Sequence, residues 1–230
     1  MSDFGYIKEN LEALLAEIKE LSRVGKKEVT LVCVTKSGSD EELSALAEAG
    51  AKDIGENRPQ ELRRRGDLLR EKGFTPALHE IGNLQRNKVK LIIESVALIH
   101  SLDSLELAAE IDKRAREVGR VVPVLVEINS AEELQKGGIL PSDAEEFIKS
   151  IRQFKGICIS GLMTMGPVCE EPEEIRPYFR KTKELFDTLS QKGYFEGEGI
   201  LSMGMSDSYK VAIEEGATIV RVGRRLFVKN

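Results

Sequence analysis

The first residue with chemistry to offer is a lysine at the end of an apolar run. Val29-Thr-Leu-Val-Cys-Val-Thr35 is followed at once by Lys36. Where a strand opens onto low-dielectric walls, desolvation disfavours the ammonium form and frees the amine for attack on a carbonyl. Lys36 is therefore a Schiff-base candidate; the competing reading is a strand-end lysine reaching for water. Two turns near the C-terminus offer a different chemistry. Ser202-Met-Gly-Met-Ser206 precedes Asp207 and a helical stretch, and Gly223-Arg224-Arg225 follows an apolar strand. Small residues admit a ligand close to the backbone, and free N–H groups or a guanidinium can hold its phosphate.

Other candidates are weaker. Arg221 interrupts the apolar run Thr218-Ile-Val-Arg-Val222. If it points inward it needs a ligand or a carboxylate, and if outward it sends its head to solvent; alternation leaves both open. Asn57 and His79 end or begin short apolar segments and could line a mouth, although each is more often a structural hydrogen-bonding group. Met163 ends another segment, where methionine usually fills core gaps. The runs Arg63-Arg64-Arg65 and Arg86 to Lys90 read as solvated helix faces. There is no G-x-S-x-G elbow, no G-x-x-x-x-G-K-S/T loop and no H-E-x-x-H pair. An amine and a phosphate site together suit pyridoxal 5'-phosphate, which carries an aldehyde and a phosphate, or a sugar phosphate in a class I aldolase.

These residues need a frame that brings them together. Ile7, Leu11, Leu14, Leu15, Ile18 and Leu21 recur at helical spacing, predicting a helix over about 4–22. Strands are expected at 29–35, 52–55, 78–82, 96–102, 121–128, 156–163, 199–202 and 218–222. Helical patterns lie between them, with Asp40 and Asp103 as caps and a helix over 85–94. Apolar runs without alternation mark strands buried on both faces. Eight such units with no linker predict an α/β fold: a (β/α)8 TIM barrel, one domain over residues 1–230, with the first helix as an addition. An open doubly wound sheet is the alternative. In such a barrel the site lies where the strands end, and phosphate favours the last two turns.

Composition narrows the partners. The chain has 230 residues, with 34 Lys and Arg against 39 Asp and Glu, a net charge of -5. That balance leaves no footprint for nucleic acid or an anionic membrane. No run approaches the roughly 20 apolar residues of a membrane span. The first ten residues lack a signal-peptide layout, and the three cysteines (Cys33, Cys158, Cys169) form no C-x-x-C pair. Both point to a reducing cytoplasm. Two histidines, His79 and His100, leave little for a metal centre.

Taken together, Val34-Thr-Lys36, Gly55-Glu-Asn57 with Gln60-Glu61, His79-Glu-Ile-Gly82 with Leu84-Gln85 and Asn87-Lys88, Gly161-Leu-Met163, Ser202-Met-Gly-Met-Ser206 and Arg221-Val-Gly223 resemble the YggS/PROSC family of pyridoxal phosphate homeostasis proteins, which share the fold-type III barrel of alanine racemase. The likeness runs from Val32 to Phe227. It implies pyridoxal 5'-phosphate as cofactor on Lys36, with Asn57 and Met163 near it. It implies Ser202, Ser206, Gly223 and Arg224 on the phosphate side and Arg221 facing the pyridine nitrogen. The family usually has Thr or Ser where Arg224 stands, often Gly at Val228, and commonly Pro or His at Asn83.

The resemblance also implies a carrier and buffer without turnover. An arginine facing the pyridine nitrogen leaves it unprotonated and makes the ring a poorer electron sink. The racemase has a second domain supplying a base on the opposite face, for which this chain is expected to have no counterpart. The alternatives are a racemase- or decarboxylase-type enzyme and a class I aldolase. The expected partners are the cofactor and the apo-enzymes that receive it, with the protein a monomer or weak dimer.

Overall fold

The computed structural model describes residues 4–25, 28–133, 135 and 137–229. Eight parallel strands follow one another around a closed barrel: β1 (Thr30–Val34), β2 (Asp53–Glu56), β3 (Ala77–Glu80), β4 (Val96–Leu102), β5 (Val122–Glu127), β6 (Ile157–Met163), β7 (Ile200–Ser202) and β8 (Ile219–Val222). The ring shuts where β8 pairs with β1, placing Val32 opposite Arg221. The (β/α)8 barrel read from eight apolar runs is the fold of the chain, and the open sheet is excluded by that closure.

Two apolar layers explain why the strands carry runs rather than alternation. Val32, Leu98, Leu125, Met163 and Ile219 meet inside the barrel. Their neighbours Leu31, Cys33, Ile99, Val124, Val126, Leu162 and Val220 belong to the larger cluster under the helices. That outer layer is closed by α1 (Gly5–Gly25), α2 (Asp40–Glu48), α3 (Pro59–Glu71), α4 (Leu105–Glu117), α5 (Ala144–Ile151), α6 (Arg176–Gln191) and α7 (Tyr209–Glu214).

The first helix has a structural place of its own. Ile7, Leu11, Leu14 and Ile18, spaced by four, three and four residues, are all buried, and α1 packs against α2, α7 and the turn after β8. Among the described residues β8 is followed by a 3-10 turn, Arg224–Leu226. α1 thus covers the gap between α7 and α2 that an eighth helix would fill. Polar ties fix it there. Asn10 Nδ2 donates to the carbonyls of Leu226 and Val228, and Glu17 accepts from the Tyr209 hydroxyl and from Arg225. These donors, with Lys210, hold the Glu17 carboxyl down near 2 against the opposing effect of burial.

Local expectations needed correction at several ends. Ser39, not Asp40, caps α2: its hydroxyl accepts from Glu42 N while the Glu42 carboxylate accepts from Ser39 N, a reciprocal box that Asp40 inside the first turn cannot make. α4 starts after Ser104 rather than Asp103. The segment expected to be helical over 85–94 forms only a 3-10 turn, Arg86–Leu91. Its hydrogen bonds close over three residues, as from Lys88 N to Gln85 O, and Val89 and Ile92 are buried at that same spacing.

Candidate functional site

Lys36 follows β1 on the side of the barrel where strands end. Val32 faces the interior, so alternation puts Val34 on the same side, and Lys36 stands two residues beyond the strand's end, at the mouth. Lys36 itself is exposed, within a turn closed by Gly38 N donating to Thr35 O at 2.9 Å. That turn is clasped from behind. Arg65, on α3, donates through Nη1 to the Thr35 carbonyl and through Nη2 to the Gly38 carbonyl at 2.7 Å, and sits 3.1 Å from Glu56 Oε1. Glu56 in turn accepts from the Thr35 hydroxyl; burial raises its carboxyl above the usual range. The reading of Arg63-Arg64-Arg65 as a solvated face therefore holds for Arg63 and Arg64 but not for Arg65, which is 7% exposed. A run of three arginines on a helix presents adjacent residues to different faces, and that periodicity was the available signal.

The two phosphate-candidate turns meet beside Lys36. Gly223 N donates to Ser206 Oγ at 3.4 Å. A Cβ on Gly223 would stand 2.7 Å from Val34 O, so the turn after β8 lies against the strand that carries the lysine. Ser206 is half-buried at this junction. Arg224 is exposed and paired with Asp207 on the rim, so its guanidinium is engaged along the edge rather than over the turn.

Ser202 departs from its expected place in the phosphate-side loop. It is the last residue of β7 and fully buried. Its hydroxyl accepts from Arg221 Nη1 at 2.6 Å and lies 3.0 Å from His100 Nδ1. Ser202 shares the interior parity of Ile200, which aims it into the barrel below the mouth. Arg221 points inward too, 4% exposed, and its Nη2 donates to the Thr164 carbonyl at 3.1 Å. Burial draws the guanidinium down to about 10 and Glu127 opposes the fall, so Arg221 stays charged at neutral pH. His79, proposed as a mouth residue, lies inside the barrel as well, 3.0 Å from both Asp53 and His100. Met163 is buried in the interior cluster, and Asn57 is exposed one residue beyond β2.

Two carboxylates also stand in this opening, Glu127, which the sequence did not single out, and Asp103, read only as a helix cap. Glu127 ends β5 facing inward, and burial lifts it to about 7, with Asp103 adding to the rise and Arg221 countering it. Burial raises Asp103 also. A charged residue interrupting an otherwise apolar run is the clue that singled out Arg221, and Glu127, before Ile128, carries the same one. Among the described residues no group of three His, Cys, Asp or Glu side chains is arranged to hold a metal ion.

An exposed amine, a close-packed glycine turn and a buried guanidinium thus surround one opening. This donor set fits an aldehyde that bears a phosphate and an aromatic nitrogen: the amine for the aldehyde, the turn for the anion, the cation for the ring. Comparison with known proteins points the same way. The family described as "Alanine racemase, N-terminal domain" matches residues 10–230. A pyridoxal phosphate homeostasis protein of Aquifex aeolicus is 42% identical over 222 residues, covering 95% of this chain and 96% of its own. PipY of Synechococcus elongatus PCC7942, solved with pyridoxal phosphate bound, superposes with a TM-score of 0.83 at 29% identity, over 96% of this chain and all of the other. An alanine racemase of Clostridium difficile, 21% identical, shares the fold with a TM-score of 0.73; the match spans 96% of this chain and 56% of the racemase.

Proposed function

Since the chain belongs to the alanine racemase N-terminal-domain family, and within it to the pyridoxal phosphate homeostasis proteins, we propose that it binds pyridoxal 5'-phosphate covalently through Lys36 and buffers the free cofactor without turning over a substrate. The observation that carries this reading is that the Ser206–Gly223 turn packs against β1 just before Lys36, with Arg221 buried on the strand beside it. When bound, the cofactor supplies an aldehyde that condenses with amines and a ring that withdraws electrons.

The chain's own residues then act as follows. Arg65 and Glu56 fix the turn on either side of Lys36, so that its amine enters from one wall. Gly223 N and Ser206 receive the phosphate from the neighbouring wall, with Ser202 supporting Arg221 rather than touching the anion. Arg221 would supply the positive charge opposite the ring nitrogen, and that charge would disfavour protonation there and restrain carbanion chemistry. Met163 and Asn57 would line the cofactor site, and Arg224 would have to leave Asp207 to contribute to the phosphate. Residues 1–230 act as one domain, cytoplasmic, as a monomer or weak dimer that hands the cofactor to apo-enzymes. Among the described residues, no helix is long and apolar enough to cross a membrane.

Spectrophotometric titration with pyridoxal 5'-phosphate tests both halves. The wild type is expected to gain one equivalent of the long-wavelength absorption of a lysine adduct, and Lys36→Ala none. The loaded protein is expected to leave D- and L-amino acids unchanged. Steady turnover near the ~10 per second typical of enzymes would establish a racemase-type catalyst instead.

A further inference from the structure

The barrel interior holds an unbroken file of polar groups, of which the binding reading uses only Arg221 and Ser202. It starts at Arg221 on β8 and passes to Ser202 on β7 at 2.6 Å. It crosses the barrel to His100 on β4 at 3.0 Å, steps to His79 on β3 at 3.0 Å, and ends on Asp53 at 3.0 Å. Arg221, Ser202, His100 and His79 are all buried. Asp53 begins β2 at the end of the barrel opposite the mouth, and its side chain is 23% exposed. A file of hydrogen bonds thus joins the ligand side of the barrel to solvent at its other end.

Its direction follows from the two ends. Arginine can only donate, so Ser202 Oγ accepts from Arg221 and its own hydrogen is free for His100 Nδ1. A carboxylate can only accept, so His79 Nε2 carries a hydrogen toward Asp53. In its neutral form His79 then accepts at Nδ1, which requires a hydrogen on His100 Nε2 and leaves His100 Nδ1 bare for Ser202. Every link points the same way, and the two ends select the same tautomer at both rings. Burial, with help from His79 and Arg221, holds His100 well below the ordinary imidazole range, in agreement with a neutral ring. Among the described residues Arg221 has no carboxylate within ion-pair distance. The charge that acts on Arg221 directly is that of Glu127, and Asp53 is linked to the guanidinium only through the polarised file.

We propose that Asp53 and His79 are positioning residues for Arg221, acting through this one-directional file to fix the guanidinium that faces the bound ring. The inference rests on the reading that Arg221 faces the cofactor. The file also makes a specific demand: both imidazoles must be Nε2–H tautomers, and a change at Asp53 must be felt at His100, a ring it does not touch.

The chain has only two histidines, so nitrogen-15 NMR of histidine-labelled full-length protein resolves both rings without ambiguity. In the wild type each ring should show a protonated Nε2 and a bare Nδ1. Asp53→Ala should turn His100 from a single tautomer into a mixture. Ser202→Ala, which cuts the file at its other end, should also move His100 and serves if Asp53→Ala does not fold. A protonated Nδ1 on His100 in the wild type, or a His100 spectrum unmoved by either variant, overturns the file. Adding pyridoxal 5'-phosphate should shift His100 through Ser202. Cofactor that binds, by its absorption, yet leaves His100 unmoved refutes the coupling to the ligand while sparing the binding reading. Cofactor that fails to bind refutes the binding reading, and the tautomers of the unliganded protein still decide whether the file exists.

Discussion

Gly161→Ala is expected to lower stability by more than about 4 kcal/mol, or to prevent folding, because the new methyl group has nowhere to go. Gly161 lies within β6 with a φ of 151°, in a region open almost only to glycine. A Cβ there would stand 1.9 Å from the carbonyl oxygen of Ile200 and 2.7 Å from that residue's backbone nitrogen and carbon. All three are backbone atoms of β7 at the point where Gly161 pairs with Ile200, so no side chain can swing aside. Relief requires parting β6 from β7, which carry Met163 and Ser202 at their ends. Denaturant melts of the two proteins measure the loss. A variant within about 1 kcal/mol of the wild type would show that this strand contact is looser than described.

Glu80→Gln should act in the opposite sense, and only in part of the pH range. Glu80 ends β3, is fully buried, and accepts from Gly82 N through Oε1, while its Oε2 has no hydrogen-bond partner among the described residues. Burial raises its carboxyl to about 8, with the nearby Glu56 adding to the rise and the Gly82 hydrogen bond opposing it. In the unfolded chain the group titrates near ~4.3. Between those values the folded protein keeps a proton that the unfolded chain has released. The stability linked to Glu80 is therefore complete below about pH 4.3 and is lost as pH rises through about 8. At about 1.4 kcal/mol per unit, glutamine, which never ionises, should gain roughly 2–5 kcal/mol over the wild type at pH 8 and little at pH 4. Urea melts across this range should show a falling wild-type curve and a flatter one for the variant. Two parallel curves would show that Glu80 ionises freely in the folded state.

What the sequence disclosed followed the strength of its repeating patterns. Strand β4 was expected at 96–102 and is found there, because Val96, Ile99 and Leu102 must meet the outer layer while Leu98 and His100 face in. Ends were harder. The cap of α2 moved from Asp40 to Ser39 because the deciding hydrogen bonds are reciprocal, and a list of cap-forming residues does not show reciprocity. The segment over 85–94 has apolar residues at spacings of three and of four, and only its short run into β4 selects the tighter turn.

In the candidate site, Lys36, Gly223 and Ser206 could be read because small residues and a lone amine stand out where strands end. Ser202 was assigned to the phosphate side and His79 to the mouth, although both side chains point into the barrel. Arg65 was hidden by its two solvated neighbours. Glu127 was hidden because β5 reads as apolar along almost its whole length. The file from Arg221 to Asp53 could not be read at all, since it joins five elements whose order around the barrel brings distant positions together.

The central claim is that the amine of Lys36 holds the aldehyde of pyridoxal 5'-phosphate, and chemical trapping reads it most directly. Protein mixed with the cofactor is reduced with borohydride, digested, and its peptides are weighed by mass spectrometry. The account predicts one pyridoxyl group per chain, on the peptide carrying Lys36. A label on another lysine, or spread over many, or absent from a protein that still binds the cofactor, would contradict it.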